Sequence, residues 1–184
     1  QYGVEEALAA GMDTIAIVTG RGKRSIQDHF DNAFELESQL SGTLKESYLT
    51  EVKTVIESAT FTYVRQRQML GLGHAILTGE HLIGNEPFAV VLADDLCDCD
   101  ESGVLSQIKE IYNKYQCSII AIEEIPMDQT NKYGVIAGNL VDETDDTYRV
   151  TNMIEKPEPK DSPTNMAIIG RYILTPDIFN ILRN

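Results

Sequence analysis

Phe88-Ala89-Val90-Val91-Leu92-Ala93-Asp94-Asp95 decides the fold. Its first six residues are all apolar and four of them are large, with two valines at the centre. A short unbroken apolar run of this kind predicts a strand buried on both faces, as in a parallel sheet. The run then breaks into acid at Asp94, Asp95, Asp98, Asp100 and Glu101. In open α/β sheets ligands sit beyond the carboxyl ends of the strands. A carboxylate there can hold a divalent cation against a phosphate. The same residues can equally cap the next turn, because Asp side chains bond readily to nearby backbone.

Working outward, the apolar pattern alternates between strand and helix. Gln1 to Gly11 has helical spacing, and Thr14-Ile15-Ala16-Ile17-Val18-Thr19 reads as a buried strand. Gly20 to Arg24 reads as a turn, and Ser25 to Phe30 as a short helix. Asn32 to Ala59 is a charged helical segment with a narrow apolar stripe (Phe34, Leu36, Leu40, Leu44, Tyr48, Leu49, Val52, Ile56), with Gly42 as the point where it splits. Thr60 to Gln66 has strand composition, Gly71 opens a helix to about Leu82, and Leu105, Ile108, Ile111 and Tyr112 mark another. Ser118 to Ile125 is again a strand. Strands alternating with helices predict an α/β fold, a Rossmann-like, mostly parallel mixed sheet flanked by helices. After residue 125 the rhythm changes to Tyr133–Val141, Tyr148–Ile154 and Met166–Leu174, strands separated by turns and prolines. One domain is therefore expected over 1–184, changing character after residue 125.

The 184 residues carry 15 basic and 29 acidic side chains, a net charge of −14. That balance argues against nucleic-acid binding, which needs a positive surface to track phosphates. No apolar run reaches transmembrane length, and no signal peptide opens the chain. Three cysteines form no disulfide framework, and the odd count suits a reducing cytosol. Cys97-x-Cys99 lacks a second pair or a nearby histidine, a poor zinc site. The chain starts at Gln1 without an initiator Met, inside a helical pattern, and so reads as an excised piece of a longer protein.

Two phosphate-binding motifs fail at Gly20-Arg21-Gly22-Lys23-Arg24. The dinucleotide fingerprint needs a third glycine where Ser25 stands. A Walker A loop needs glycine at Ile17 and Ser or Thr at Arg24. Elsewhere the candidates are individually ambiguous. Gln66, five residues before Gly71, offers an amide suited to the imide edge of uracil or thymine. A glycine at a helix start lets backbone approach a ring or phosphate, yet both residues also suit plain surface chemistry. His74 fits packing or solvation better than catalysis. Gly134 could let a sugar lie against backbone. Glu155 can accept from vicinal hydroxyls while Lys156 supplies a point charge for a phosphate. Glu155-Lys156-Pro157 reads as readily as a surface ion pair before a proline turn.

The order of these pieces is specific: Gln66 with Gly71-Leu72-Gly73-His74-Ala75, Asp94 at a strand end, Tyr133-Gly134-Val135, Glu155-Lys156-Pro157, and Asn165 to Tyr172. It resembles the sugar-phosphate nucleotidyltransferase family, and within it the bacterial UTP–glucose-1-phosphate uridylyltransferases. Thr19 to Lys23, His29-Phe30-Asp31 and the helical insert after them resemble the uridylyl branch. The resemblance implies transfer of a uridylyl group from UTP to glucose 1-phosphate, giving UDP-glucose and pyrophosphate. It implies that Gln66 and Gly71 read the uracil, Asp94 ligates Mg²⁺, Gly134, Glu155 and Ile168 hold the sugar, and Lys156 holds its phosphate. Asp94 and Lys156 are the catalytic residues on that reading. It also implies a nucleotide-binding half at 1–125 and a sugar-binding half at 126–184, in a cytoplasmic enzyme that is homo-oligomeric at full length. The family's N-terminal glycine-rich triphosphate loop and a further C-terminal acid fall outside Gln1–Asn184, so the chain by itself is expected to be inactive. Ala93 stands where the family has proline. Three alternatives stay open: a thymidylyl or other sugar-nucleotide preference, a non-catalytic nucleotide-sugar-binding module, and a calcium site on Asp94 to Glu101. That last segment lacks EF-hand spacing.

Overall fold

The computed structural model describes residues 1–31, 34–98, 102–142 and 146–184, with the backbone alone at Leu36 and Asp142. Asn32, Cys99, Asp100 and Glu101 lie outside the described residues, as does the Leu36 side chain of the predicted stripe. The elements run α1 (Tyr2–Ala9), β1 (Thr14–Thr19), α2 (Arg24–His29), α3 (Phe34–Leu40), α4 (Glu46–Ser58), β2 (Thr60–Arg65), α5 (Leu72–Thr78) and α6 (Glu80–Ile83). They continue with β3 (Phe88–Val91), α7 (Val104–Tyr115), β4 (Ile119–Glu124), a 3₁₀ turn (Met127–Lys132), β5 (Gly134–Asp142), β6 (Thr147–Glu155), β7 (Met166–Leu174) and α8 (Ile178–Leu182). Gly42, at φ +77°, separates α3 from α4 as expected.

The α/β class stands, with a mixed sheet and flanking helices. β1 and β2 pair in parallel, Thr14 opposite Thr60 through Thr19 opposite Arg65. The other strands gather around β7. β3 and β4 pair with it on opposite edges, both antiparallel, so they run parallel to each other with β7 between. β5 touches β7 at Val135 and Ala167 and forms a long antiparallel hairpin with β6. Strands on both sides of residue 125 thus share one sheet.

Three expectations are corrected. Phe88–Val91 was expected to be buried on both faces in a parallel sheet; β3 is half-buried throughout and pairs antiparallel with β7. An apolar run reports burial in bulk but carries no record of strand direction, which depends on a partner 80 residues away. β1 was also expected to be buried, yet it alternates, with Thr14, Ala16 and Val18 exposed. The stripe over residues 34–56 is narrower than its spacing suggests. Phe34, Leu44 and Tyr48 are exposed, and α4 turns Val55 inward instead.

The core lies on one face of β3, β7 and β4. Ala7 of α1, Ala10 at its C-terminal cap, and Leu105 and Ile108 of α7 pack there on Ala121 and Ile173. Each helical pair is three residues apart, which brings both side chains to one face. Burying such side chains contributes about 1.5–3 kcal/mol apiece for the larger ones. Phe30 stacks on Phe61, fastening α2 to β2, and Phe179 stacks on Phe88, fastening α8 to β3. No helix among the described residues is long and apolar enough to cross a membrane.

Candidate active site

β7 positions the site through its two-residue alternation. Ala167, Arg171 and Ile173 point into the core and are at most 3% exposed. Ile168, Gly170 and Tyr172 fall on the opposite face. There three strands meet. A Cβ placed on Gly134, the first residue of β5, would stand 3.2 Å from Glu155 Oε2 and 3.3 Å from Ile168 Cδ1. Gly134 is also the register partner of Glu155. The absent side chain leaves backbone open between a carboxylate and an aliphatic wall, an arrangement suited to a polyol.

The two aspartates after β3 have different surroundings. Asp95 donates its N–H to Leu92 O at 3.3 Å, closing a tight turn. Its Oδ2 accepts the Gly170 N–H at 2.6 Å. Asp95 therefore takes the turn-bonding role that the sequence left open between the pair. Asp94 is exposed and makes no described hydrogen bond or ion pair, so its carboxylate is available to a ligand. No group of three or more His, Cys, Asp or Glu among the described residues could enclose a metal. A single exposed carboxylate fits an octahedral cation that draws its other oxygens from phosphate and water, as Mg²⁺ commonly does. It does not fit a closed calcium cage.

Beneath this turn lies a buried ion pair. Arg171 Nε donates to Glu6 Oε2 at 2.9 Å, and Arg171 Nη1 donates to Gly170 O at 3.0 Å. Glu6 Oε1 in turn accepts the Leu105 N–H in the first turn of α7 at 3.0 Å. Four elements are tied here by charge-assisted bonds, α1, β7, α7 and the end of β3 through Leu92 O.

Gln66 and Gly71 are brought together as well. Gln66 Nε2 donates to Gly71 O at 3.2 Å and to His74 Nδ1 at 2.9 Å. Both amide protons are thus engaged inside the loop, which leaves Oε1 as the group free to meet a ligand. Gly71, at φ +90°, holds the turn into α5. Lys156 directly follows β6 with φ +47°, an uncommon conformation for a side-chain-bearing residue. Its N–H bonds to Tyr133 O at 3.0 Å, and its Nζ stands 3.6 Å from Glu155 Oε1, both side chains largely exposed. Tyr172 is pushed above its ordinary pKa by burial first, then by the nearby carboxylates of Asp95 and Glu155. This last link sets the Asp95 turn and the Glu155 wall in one electrostatic neighbourhood.

With this geometry established, comparison with known proteins is informative. The nucleotidyl transferase family model matches residues 1–184. The chain belongs to the nucleotidyl transferase family. This nucleotidyl transferase chain is 59% identical over 183 residues to a UTP–glucose-1-phosphate uridylyltransferase of Pseudomonas aeruginosa, covering 99% of the chain and 65% of that relative. It therefore spans about two-thirds of the relative's length. Among solved structures, apo UDP-glucose pyrophosphorylase superposes with a TM-score of 0.93 at 57% identity, over 99% of this chain and 66% of the other. UDP-glucose pyrophosphorylase complexed with UDP-glucose gives 0.90 at 54%, over 100% and 66%.

Several residues of this nucleotidyl transferase site escaped the sequence reading. Gly170 and Tyr172 stood in the quoted Asn165–Tyr172 stretch without a role. Only the alternation of β7 and its register with β3 gives them one. His74, set aside as packed or solvated, holds the Gln66 amide. The pairing of Glu6 with Arg171 spans 165 positions, and nothing local signals it.

Proposed function

We propose that the protein carrying this chain transfers the uridylyl group of UTP to glucose 1-phosphate, releasing UDP-glucose and pyrophosphate. The observation that carries this reading is the meeting of Gly134, Glu155 and Ile168 from three strands beside Lys156. These residues would hold the sugar and its phosphate. The relatives named above, one of them complexed with UDP-glucose, support the same substrates. Gln66 Oε1 would accept the imide N–H of the base, and Gly71 would let the ring lie against backbone. Residues 1–125 would then serve the nucleotide and 126–184 the sugar, in a cytoplasmic homo-oligomer.

The chemistry needs no general base. The attacking group is a phosphate oxygen of glucose 1-phosphate, already ionised at neutral pH. It forms a bond to the α-phosphorus of UTP as the bond to the bridging oxygen breaks, and that oxygen leaves with pyrophosphate. The obstacle is repulsion between two anions, so positioning and charge neutralisation carry the rate. Lys156 supplies a cation to the sugar phosphate. Asp94 would hold Mg²⁺, which when bound neutralises phosphate charge.

A competition assay of UTP against dTTP, with a panel of sugar 1-phosphates, tests this reading. UTP and glucose 1-phosphate should give the highest kcat/KM. A clear preference for dTTP or for another sugar phosphate would overturn the substrate assignment.

A further inference from the structure

The loop that failed both phosphate motifs forms a site of its own. At the carboxyl ends of β1 and β2 lies a cleft of about 360 Å³, and Arg21, Lys23, Arg24 and Arg65 all line it. A chain of net charge −14 thus places four of its fifteen Lys and Arg around one concavity. No carboxylate lines the cleft, and none of the four cations is ion-paired among the described residues. Uncompensated like charges repel, and a concave wall concentrates their field, so the arrangement favours an anion. Packing does not explain the loop: a Cβ on Gly20 or Gly22 would meet nothing within 4 Å.

The remaining lining suits a phosphorylated ligand. Guanidinium groups match phosphate oxygens in a fork, and lysine adds a point charge. Tyr63 also lines the cleft; burial and the Asp31 carboxylate raise its pKa, which keeps its O–H a donor. At roughly 30 Å³ per water, the volume holds about a dozen waters, room for more than one phosphoryl group. The cleft adjoins the Gln66 loop, because the Gln66 N–H bonds to Thr19 O at 2.9 Å and Thr19 pairs with Arg65.

We propose that Arg21, Lys23, Arg24 and Arg65 form a binding site for a pyrophosphate group, separate from the pocket around Gly134 and Glu155. The group can come from free pyrophosphate or from the polyphosphate tail of a nucleotide. The argument stands on the cleft itself and does not depend on the substrates proposed above.

Calorimetric titration of the protein with inorganic pyrophosphate, at low and high salt, tests it. The double variant Arg21→Ala with Lys23→Ala, and Arg65→Ala alone, change exposed positions outside the core, and circular dichroism checks their fold. Each should weaken pyrophosphate at least about tenfold, with the loss shrinking as salt screens the charges. Lys160→Ala removes one exposed cation elsewhere and should leave affinity unchanged. A parallel titration with metal-free UTP separates the sources. Equal weakening of UTP marks the nucleotide's own tail, and weakening of pyrophosphate alone marks the free anion. The proposal is overturned if the native protein does not bind pyrophosphate, if the cleft variants bind it as tightly as the native protein does, or if Lys160→Ala loses as much.

Discussion

The Asp95 carboxylate accepts the backbone N–H of Gly170 at 2.6 Å, across 75 positions of sequence. This bond fixes the turn that carries Asp94. A Cβ on Gly170 would stand 2.7 Å from Leu92 Cβ and 2.9 Å from Asp95 Oδ2. Neither neighbour is the loose end of a long side chain. Gly170→Ala should therefore displace the turn, cost about 1–3 kcal/mol as overpacking does, and lower turnover more than Ala93→Pro does. Asp94→Ala should leave denaturant stability within about 0.5 kcal/mol, as surface changes do, and reduce kcat at full length by roughly 10²–10³ or more. Near-normal turnover in Asp94→Ala would remove this residue from the metal role.

Lys156 combines a proposed phosphate-binding role with backbone strain. Its φ of +47° costs an ordinary residue about 1–2 kcal/mol. Lys156→Gly relieves that strain but gains freedom in the unfolded chain, so stability should change by no more than about 1 kcal/mol. Lys156→Ala keeps the strain. Both variants should raise KM for glucose 1-phosphate far more than KM for UTP. Equal effects on the two substrates would make the lysine structural.

His74 would position Gln66 for a ligand through the bond to its amide. His74→Ala frees the Gln66 amide to rotate and should weaken uridine nucleotides severalfold, with glucose 1-phosphate affinity unchanged. A purely structural histidine would lower both together, alongside a fall in Tm.

Glu6 and Arg171 form the buried pair under the site. Arg171 is 2% exposed, so Glu6→Ala leaves a desolvated guanidinium without its carboxylate and frees the Leu105 N–H. Breaking such pairs costs roughly 3–5 kcal/mol. Urea unfolding should show a loss of that size. A change below about 1 kcal/mol would mean that water takes over the role of Glu6.

Tyr172 predicts an alkaline limit. Its pKa is raised in the folded chain, chiefly by burial and then by Asp95 and Glu155. The folded state therefore keeps its proton more tightly than the unfolded state. The stabilisation from this group is complete below the ordinary tyrosine value of 10.0 and is lost as pH climbs from there through the raised value. Tyr172→Phe should flatten this part of the stability profile. An unchanged slope would place the alkaline loss elsewhere, Tyr63 being the other raised tyrosine.

The sequence by itself determined the elements, the family likeness and the candidate residues, because apolar period, turn glycines and ordered motifs are local properties of a chain. Gln66 with Gly71, and Gly134 with Glu155 and Ile168, were all legible in that way. Tertiary structure decided strand direction, the different surroundings of Asp94 and Asp95, and the partners of Gly170, Arg171 and His74. It also gathered Arg65 and the Arg21 loop into one cationic cleft, although the loop had failed as a motif. The reason is physical: register and side-chain direction follow from which strands meet, and here β7 meets β3 and β4 only after the chain has travelled about 40 to 85 residues. No window of sequence records that meeting.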